Sequence, residues 1–279
     1  MNDKKRTTEW SFSFEQIGES ISNWVESLKG EGAESKTEQF STPKGDASSA
    51  VIELGMAIGQ VTVNALDNSE NLIDAEVTYI GEMEFAVSSG AEKVVKLRQK
   101  QPKGSIRLPF KEAISAIGSR DDLRWNVGLA PDVPLRLKIN AGLGRSKLDL
   151  SRLHLTGLEV DAGVGEIHLT LPVTSDAYKA DIESGVGSTH ITIPANAALK
   201  LDIDGGVGST TIVIPKDAAV RIKGDSGLGG IHLPDHFIRV KKGDDFISKS
   251  GVWETEGFAV AARQIIIHYD GGIGGLKVE

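Results

Sequence analysis

The chain has 279 residues, a formal net charge of −8 and no cysteine. The charge makes nucleic acid a poor partner, and the missing cysteine excludes disulfide staples and thiolate metal sites. Aromatic residues are only 5% of the total, so the core must be built from Val, Ile, Leu and Ala.

Residues 1–9 read as a polar tail, and 10–14 (Trp-Ser-Phe-Ser-Phe) alternate like a strand. Phe14, Ile17, Ile21, Trp24 and Leu28 then fall on one stripe at helical spacing, which predicts a short amphipathic helix over 14–28. Its flanking Glu15, Glu19 and Glu26 are wrong for an anionic lipid surface. The stripe is therefore expected to cap an open end of the fold or to dock on a partner or second copy. Residues 29–49 are rich in Gly, Ser, Glu and Thr and read as a linker.

From about residue 50 strand patterns dominate. Val61–Val63, Ala75–Tyr79 and Met83–Val87 all alternate with period two. A short helix is expected at 110–118. No apolar run approaches the roughly 18 residues needed to span a bilayer. No signal-peptide core follows the basic start, so a cytoplasmic location, at most peripheral to the membrane, is expected.

The second half is ruled by a repeat. Gly-x-Gly tags stand at 142–144, 163–165, 185–187, 206–208 and 227–229, in steps of 21, 22, 21 and 21 residues, with a sixth at 272–274. Such a period signals a solenoid. A small residue precedes each tag (Ala141, Ala162, Ser184, Gly205, Ser226, Gly271), and the central residue is always aliphatic. The tags thus read as tight corners, the aliphatic residue plugging the core. Prolines 172, 194, 215 and 234 close the strands that follow. The expected fold is all-β: a single-chain β-solenoid of roughly ten coils, each stacked on the next.

Registered on the tags, side chains fall into columns. His168 and His190 become outward neighbours about one strand spacing apart, close enough for a transition metal. Lys147 and Thr211 interrupt that column, so a solvated ladder without metal is the plainer expectation. Glu159, Asp161, Asp181, Glu183, Asp202 and Asp204 form a two-column acidic strip, the candidate partner-binding surface. It could take Ca²⁺ or a basic segment, or serve only to keep the sheet soluble. Gly224-Asp-Ser-Gly227 superficially matches a trypsin-type nucleophile, but a triad needs a converging His and Asp. No tag has the third glycine and following helix of a dinucleotide site.

Segments 52–63 (IELGMAIGQVTV), 74–87 (DAEVTYIGEMEFAV), 125–172 and 270–279 (DGGIGGLKVE) resemble the toast-rack domain of LiaF-type cell-wall-active-antibiotic response proteins. That family is related to the putative-adhesin β-solenoids. The resemblance covers residues 50–279 and implies a bacterial β-solenoid tied to envelope or membrane stress, acting by protein contact, with no catalytic residues to carry over. Unlike LiaF-type proteins, the sequence shows no membrane helix ahead of this region. The resulting expectation is a non-enzymatic interaction scaffold without a cofactor. The alternative is an adhesin-like or self-assembling structural protein, with a homo-oligomer in view. The expected layout is 1–28 tail and helix, 29–49 linker, 50–279 solenoid.

Overall fold

The computed structural model describes residues 34–100, 122–242 and 249–279. The segments read as helices, 14–28 and 110–118, lie outside these residues, as does the strand reading of 10–14. Among the described residues the fold is all-β, with fifteen strands and one 3₁₀ turn at Phe258–Val260.

Six long strands make the frame: β2 (Ser49–Ala65), β7 (Leu135–Asp149), β8 (Leu155–Thr170), β9 (Tyr178–Thr192), β10 (Leu199–Val213) and β15 (Ile265–Val278). Each runs through its corner as one continuous, bent strand. Neighbours pair in parallel and in register, so that Gly59, Gly144, Gly165, Gly187, Gly208 and Gly274 form one column. The corner of β2 is Ala57-Ile-Gly59. Its alanine in the first glycine position hides it from a count of tags.

The glycine of each corner is obligatory. Gly144, Gly165, Gly187, Gly208 and Gly274 have φ between 135° and 147°, a region that L side chains rarely enter. A Cβ on Gly187 would lie 1.7 Å from the carbonyl oxygen of Gly165, and the same contact recurs down the column. Backbone is therefore packed on backbone at every rung.

Two further rungs are split. β5 (Glu92–Gln99) pairs parallel with the first half of β2 and β6 (Arg124–Leu129) with its second half. At the other end β11 (Val220–Leu228) and β12 (Ile231–His232) share a rung beside β15. The parallel stack thus has eight rungs among the described residues, fewer than the ten expected. The outer strands pair antiparallel instead: β3 (Asn71–Tyr79) on β6, β4 (Met83–Val87) on β5, β14 (Lys249–Thr255) on β11 and β13 (Phe237–Lys242) on β14.

Spatial order departs from chain order at both ends. β2 lies between the β5/β6 rung and β7, and β15 lies between β10 and β11. Sequential stacking thus holds only from β7 to β10. Crossing within the sheet is invisible to spacing alone, because β15 carries the same corner as β7 to β10.

The stretch read as a linker is partly structured. β1 (Lys36–Pro43) pairs antiparallel with β3, Phe40 facing Ala75. Its composition resembles a linker because it is an edge strand whose residues are mostly exposed. A polar edge also discourages pairing with other chains.

Inward residues from both halves of the bent sheet join one apolar core, including Leu137, Ile139, Leu148, Ile182, Ile191, Ile203, Ile212 and Ile267. Trp125 is buried within it. The loops close over the core with Leu150, Leu153, Leu171 and Ile193. Arg263, just before β15, donates to the carbonyls of Thr174 and Asn196, tying two such loops together.

Candidate functional site

The corner face carries four columns of outward side chains, and their contents differ. The column that begins at Lys138 continues through Glu159, Asp181, Asp202, His268 and Lys223. Its acids are largely engaged. Glu159 pairs with Lys138 at 2.8 Å, and Asp181 with Lys179 at 2.5 Å. Asp202 meets Lys179, Lys200 and His268 at 3.0–3.2 Å. Burial works against its charge, but the two lysines prevail and hold its carboxyl below the usual range.

The neighbouring column is Asn140, Asp161, Glu183, Asp204, Asp270, Asp225. Here five consecutive carboxylates form no ion pair with a cation among the described residues. Burial, then the neighbouring carboxylates, pushes Asp161, Glu183 and Asp204 upward. At one strand spacing each adjacent pair repels by roughly 0.9 kcal/mol in water. The six acidic candidates therefore separate into a neutralised column (Glu159, Asp181, Asp202) and a free one (Asp161, Glu183, Asp204), which Asp270 and Asp225 extend.

These raised values make a prediction. A carboxyl whose pKa is higher folded than unfolded binds its proton more tightly in the native state, so acidification from neutrality stabilises the fold. The effect reverses once pH falls low enough to protonate carboxylates held below their usual range, such as Asp132, Asp149 and Asp202. Thermal melts should therefore show the highest Tm on the mildly acidic side of neutrality. The triple variant Asp161→Asn/Glu183→Gln/Asp204→Asn should be more stable at neutral pH by about 2–4 °C and lose most of that rise. Matching profiles for the two proteins would exclude repulsion as its source.

The third column corrects the expectation for the tags. Their central residues face outward, not into the core. Ile58, Leu143, Val164, Val186, Val207, Ile273 and Leu228 form a continuous aliphatic ladder. At one end Ile80 and Leu123 cover it, and Ile58 and Leu143 are buried. At the other it is bare: Val207 is 38% exposed, Ile273 53% and Leu228 64%. The reason is the corner itself. The small preceding residue takes the inward position, as buried Ala141 and Ser226 do. Ser226 thus faces inward, its Oγ buried without a hydrogen-bond partner among the described residues, which removes the nucleophile reading.

The fourth column holds Thr62, Lys147, His168, His190, Thr211, Lys277 and His232. His168 and His190 are neighbours as expected, their rings stacked at 4.9 Å and 10°. A carboxylate joins them: Glu166 Oε1 lies 2.7 Å from His168 Nε2. Registration on the tags misses it because Glu166 stands two residues earlier, where the other rungs carry Gln60, Arg145, Ser188, Ser209 and Gly275. A crevice of about 10 Å³ beside Tyr269 and Val207 has room for one water.

A bent parallel sheet with a glycine column at its corner and no break in its long strands defines a β-solenoid of the toast-rack kind. Residues 31–192, more than half of the sequence, match the family model described as the N-terminal domain of toast_rack, DUF2154, and the chain belongs to this family. Among solved structures, a putative cell adhesion protein from Clostridium sporogenes ATCC 15579 shares the fold. It is 20% identical with a TM-score of 0.55, over 88% of this chain and 99% of that one. A putative adhesin from Bacteroides fragilis NCTC 9343 is 12% identical with a TM-score of 0.29, over 89% and 98% of the two chains. No curated protein matches the sequence.

Proposed function

We propose that the protein is a non-enzymatic interaction scaffold whose corner face binds a basic, amphipathic protein segment. The observation that carries this is the pairing of two ladders: five carboxylates without cationic partners among the described residues, beside a bare aliphatic column on the same rungs. Five rungs span about 19 Å at strand spacing, the length of a helix of about 13 residues. Apolar anchors would lie on Val186, Val207, Ile273 and Leu228, and Lys or Arg side chains on Asp161, Glu183, Asp204, Asp270 and Asp225.

The toast-rack resemblance supports placing this contact in a bacterial envelope- or membrane-stress response, with the protein cytoplasmic and at most peripheral to the membrane. Among the described residues no helix is long and apolar enough to cross a bilayer. The adhesin-like alternative draws support from the name of the Clostridium structure. End-to-end stacking is disfavoured by the antiparallel strands that flank both ends of the parallel stack.

A labelled helical peptide with alternating leucine and lysine faces provides the test, by fluorescence anisotropy. Binding is expected to weaken at least tenfold in Glu183→Gln/Asp204→Asn/Asp270→Asn and in Val207→Ser/Leu228→Ser. It should also weaken with salt, since exposed charges are screened. Equal affinity for the wild type and both variants would discard the reading.

A further inference from the structure

We infer that Glu166, His168 and His190 form a binding site for a divalent transition-metal ion, of the class that includes Zn²⁺, Cu²⁺ and Ni²⁺. The site is separate from the acidic and aliphatic ladders and does not depend on them.

Three observations converge. First, the parallel register places His168 of β8 directly beside His190 of β9, so the backbone fixes the two imidazoles as a pair. Second, the rings stack at 4.9 Å and 10°, and the ligand-offering atoms of the three residues all lie within 4.8 Å of one another. An ion that takes its ligands at 2.0–2.2 Å needs them closer, which side-chain rotation must supply, most readily at exposed His168, since Glu166 and His190 are half-buried. Third, Glu166 is already oriented. Arg145 Nε donates to its Oε2 at 3.1 Å, leaving Oε1 turned toward His168. An outer partner that steers a carboxylate in this way is a usual feature of metal sites. His190 Nδ1 is meanwhile buried with no hydrogen-bond partner among the described residues.

The donor set decides the ion. Two imidazoles and one carboxylate suit borderline transition metals, whereas Ca²⁺ and Mg²⁺ require oxygen ligands in greater number. Three protein ligands leave a further position for water. Lys147 is the neighbour of His168 on β7, so its charge, together with that of Arg145 on Glu166, opposes the ion.

Isothermal titration calorimetry of the full chain, without an affinity tag, tests the site with Zn²⁺ alone. One ion per chain is expected, with a dissociation constant at or below about 10 μM. His168→Ala and His190→Thr should each weaken it at least tenfold; the latter installs the residue that Thr211 already places in the next rung. Glu166→Gln should weaken it less, and Lys147→Gln should tighten it. Ca²⁺ should give no heat at this site. The other four histidines (His154, His232, His236, His268) are untouched by these changes. Zn²⁺ binding that survives the His168→Ala/His190→Thr double variant unchanged would overturn the assignment, as would no binding at 100 μM Zn²⁺.

Discussion

Gly187→Ala is expected to cost more than about 4 kcal/mol, in the range that only exceptional substitutions reach. Two effects add. The φ of 143° is strained for any residue with a Cβ. The new Cβ would also stand 1.7 Å from the Gly165 carbonyl oxygen. Neither neighbour can yield: Gly165 meets Gly144 in the same way, and Gly208 meets Gly187. No rotamer relieves a backbone contact, so relief requires breaking the register of the whole stack. Gly257 is the control. Its φ is 73°, but a Cβ there would meet nothing within 4 Å, so Gly257→Ala should cost only the left-handed penalty of about 1–2 kcal/mol. Denaturant unfolding of the two variants measures both. Similar losses in the two would show that the corner column is not tightly packed.

Deleting residues 265–279 is expected to destroy cooperative folding of the C-terminal half, a larger effect than removing a terminal coil from a simple solenoid. In a linear array the last repeat touches one neighbour, and its loss subtracts one interface. Here β15 is interior. It pairs with β10 from Leu199 to Ile212 on one side and with β11 from Val220 to Leu228 on the other. Its removal exposes two unpaired edges and leaves β11, β14 and β13 without attachment to the stack. Hydrogen exchange should show lost protection in β10 and β11 together, with a large fall in Tm. Retained protection in both strands, with a Tm within a few degrees of the intact protein, would contradict the topology.

The split between legible and hidden features has a physical cause. The corner period is legible because each turn needs glycine at a fixed place, and the columns follow by counting from it. The pairing of His168 with His190 and the acidic strip both emerge in this way. Chain order within the stack is not legible. The rung of β15 carries the same Gly-x-Gly tag as the others, and nothing in Gly272-Ile-Gly274 marks it as inserted between Gly206 and Gly227. The β2 corner escapes because Ala57 replaces a glycine. Polarity alone assigns the aliphatic residue of each tag inward. The count of positions from the alternating strands runs out at a bend, however, and the small residue before the tag takes the inward place instead. The neutralisation of Asp181 and Asp202 also escapes, since Lys179 and Lys200 reach them from a different column, whereas Glu159 meets Lys138 of its own column. Which carboxylates remain free is therefore apparent only with side chains in place.

The most direct test of the proposed role is a methyl NMR titration with Ile, Leu and Val labelled and the leucine–lysine helical peptide as ligand. The two-ladder face predicts shifts concentrated at Val186, Val207, Ile273 and Leu228. Core methyls such as Ile182, Ile203 and Ile267 should stay in place, and added salt should reverse the changes. Shifts centred on another surface, or none at millimolar peptide, would contradict it.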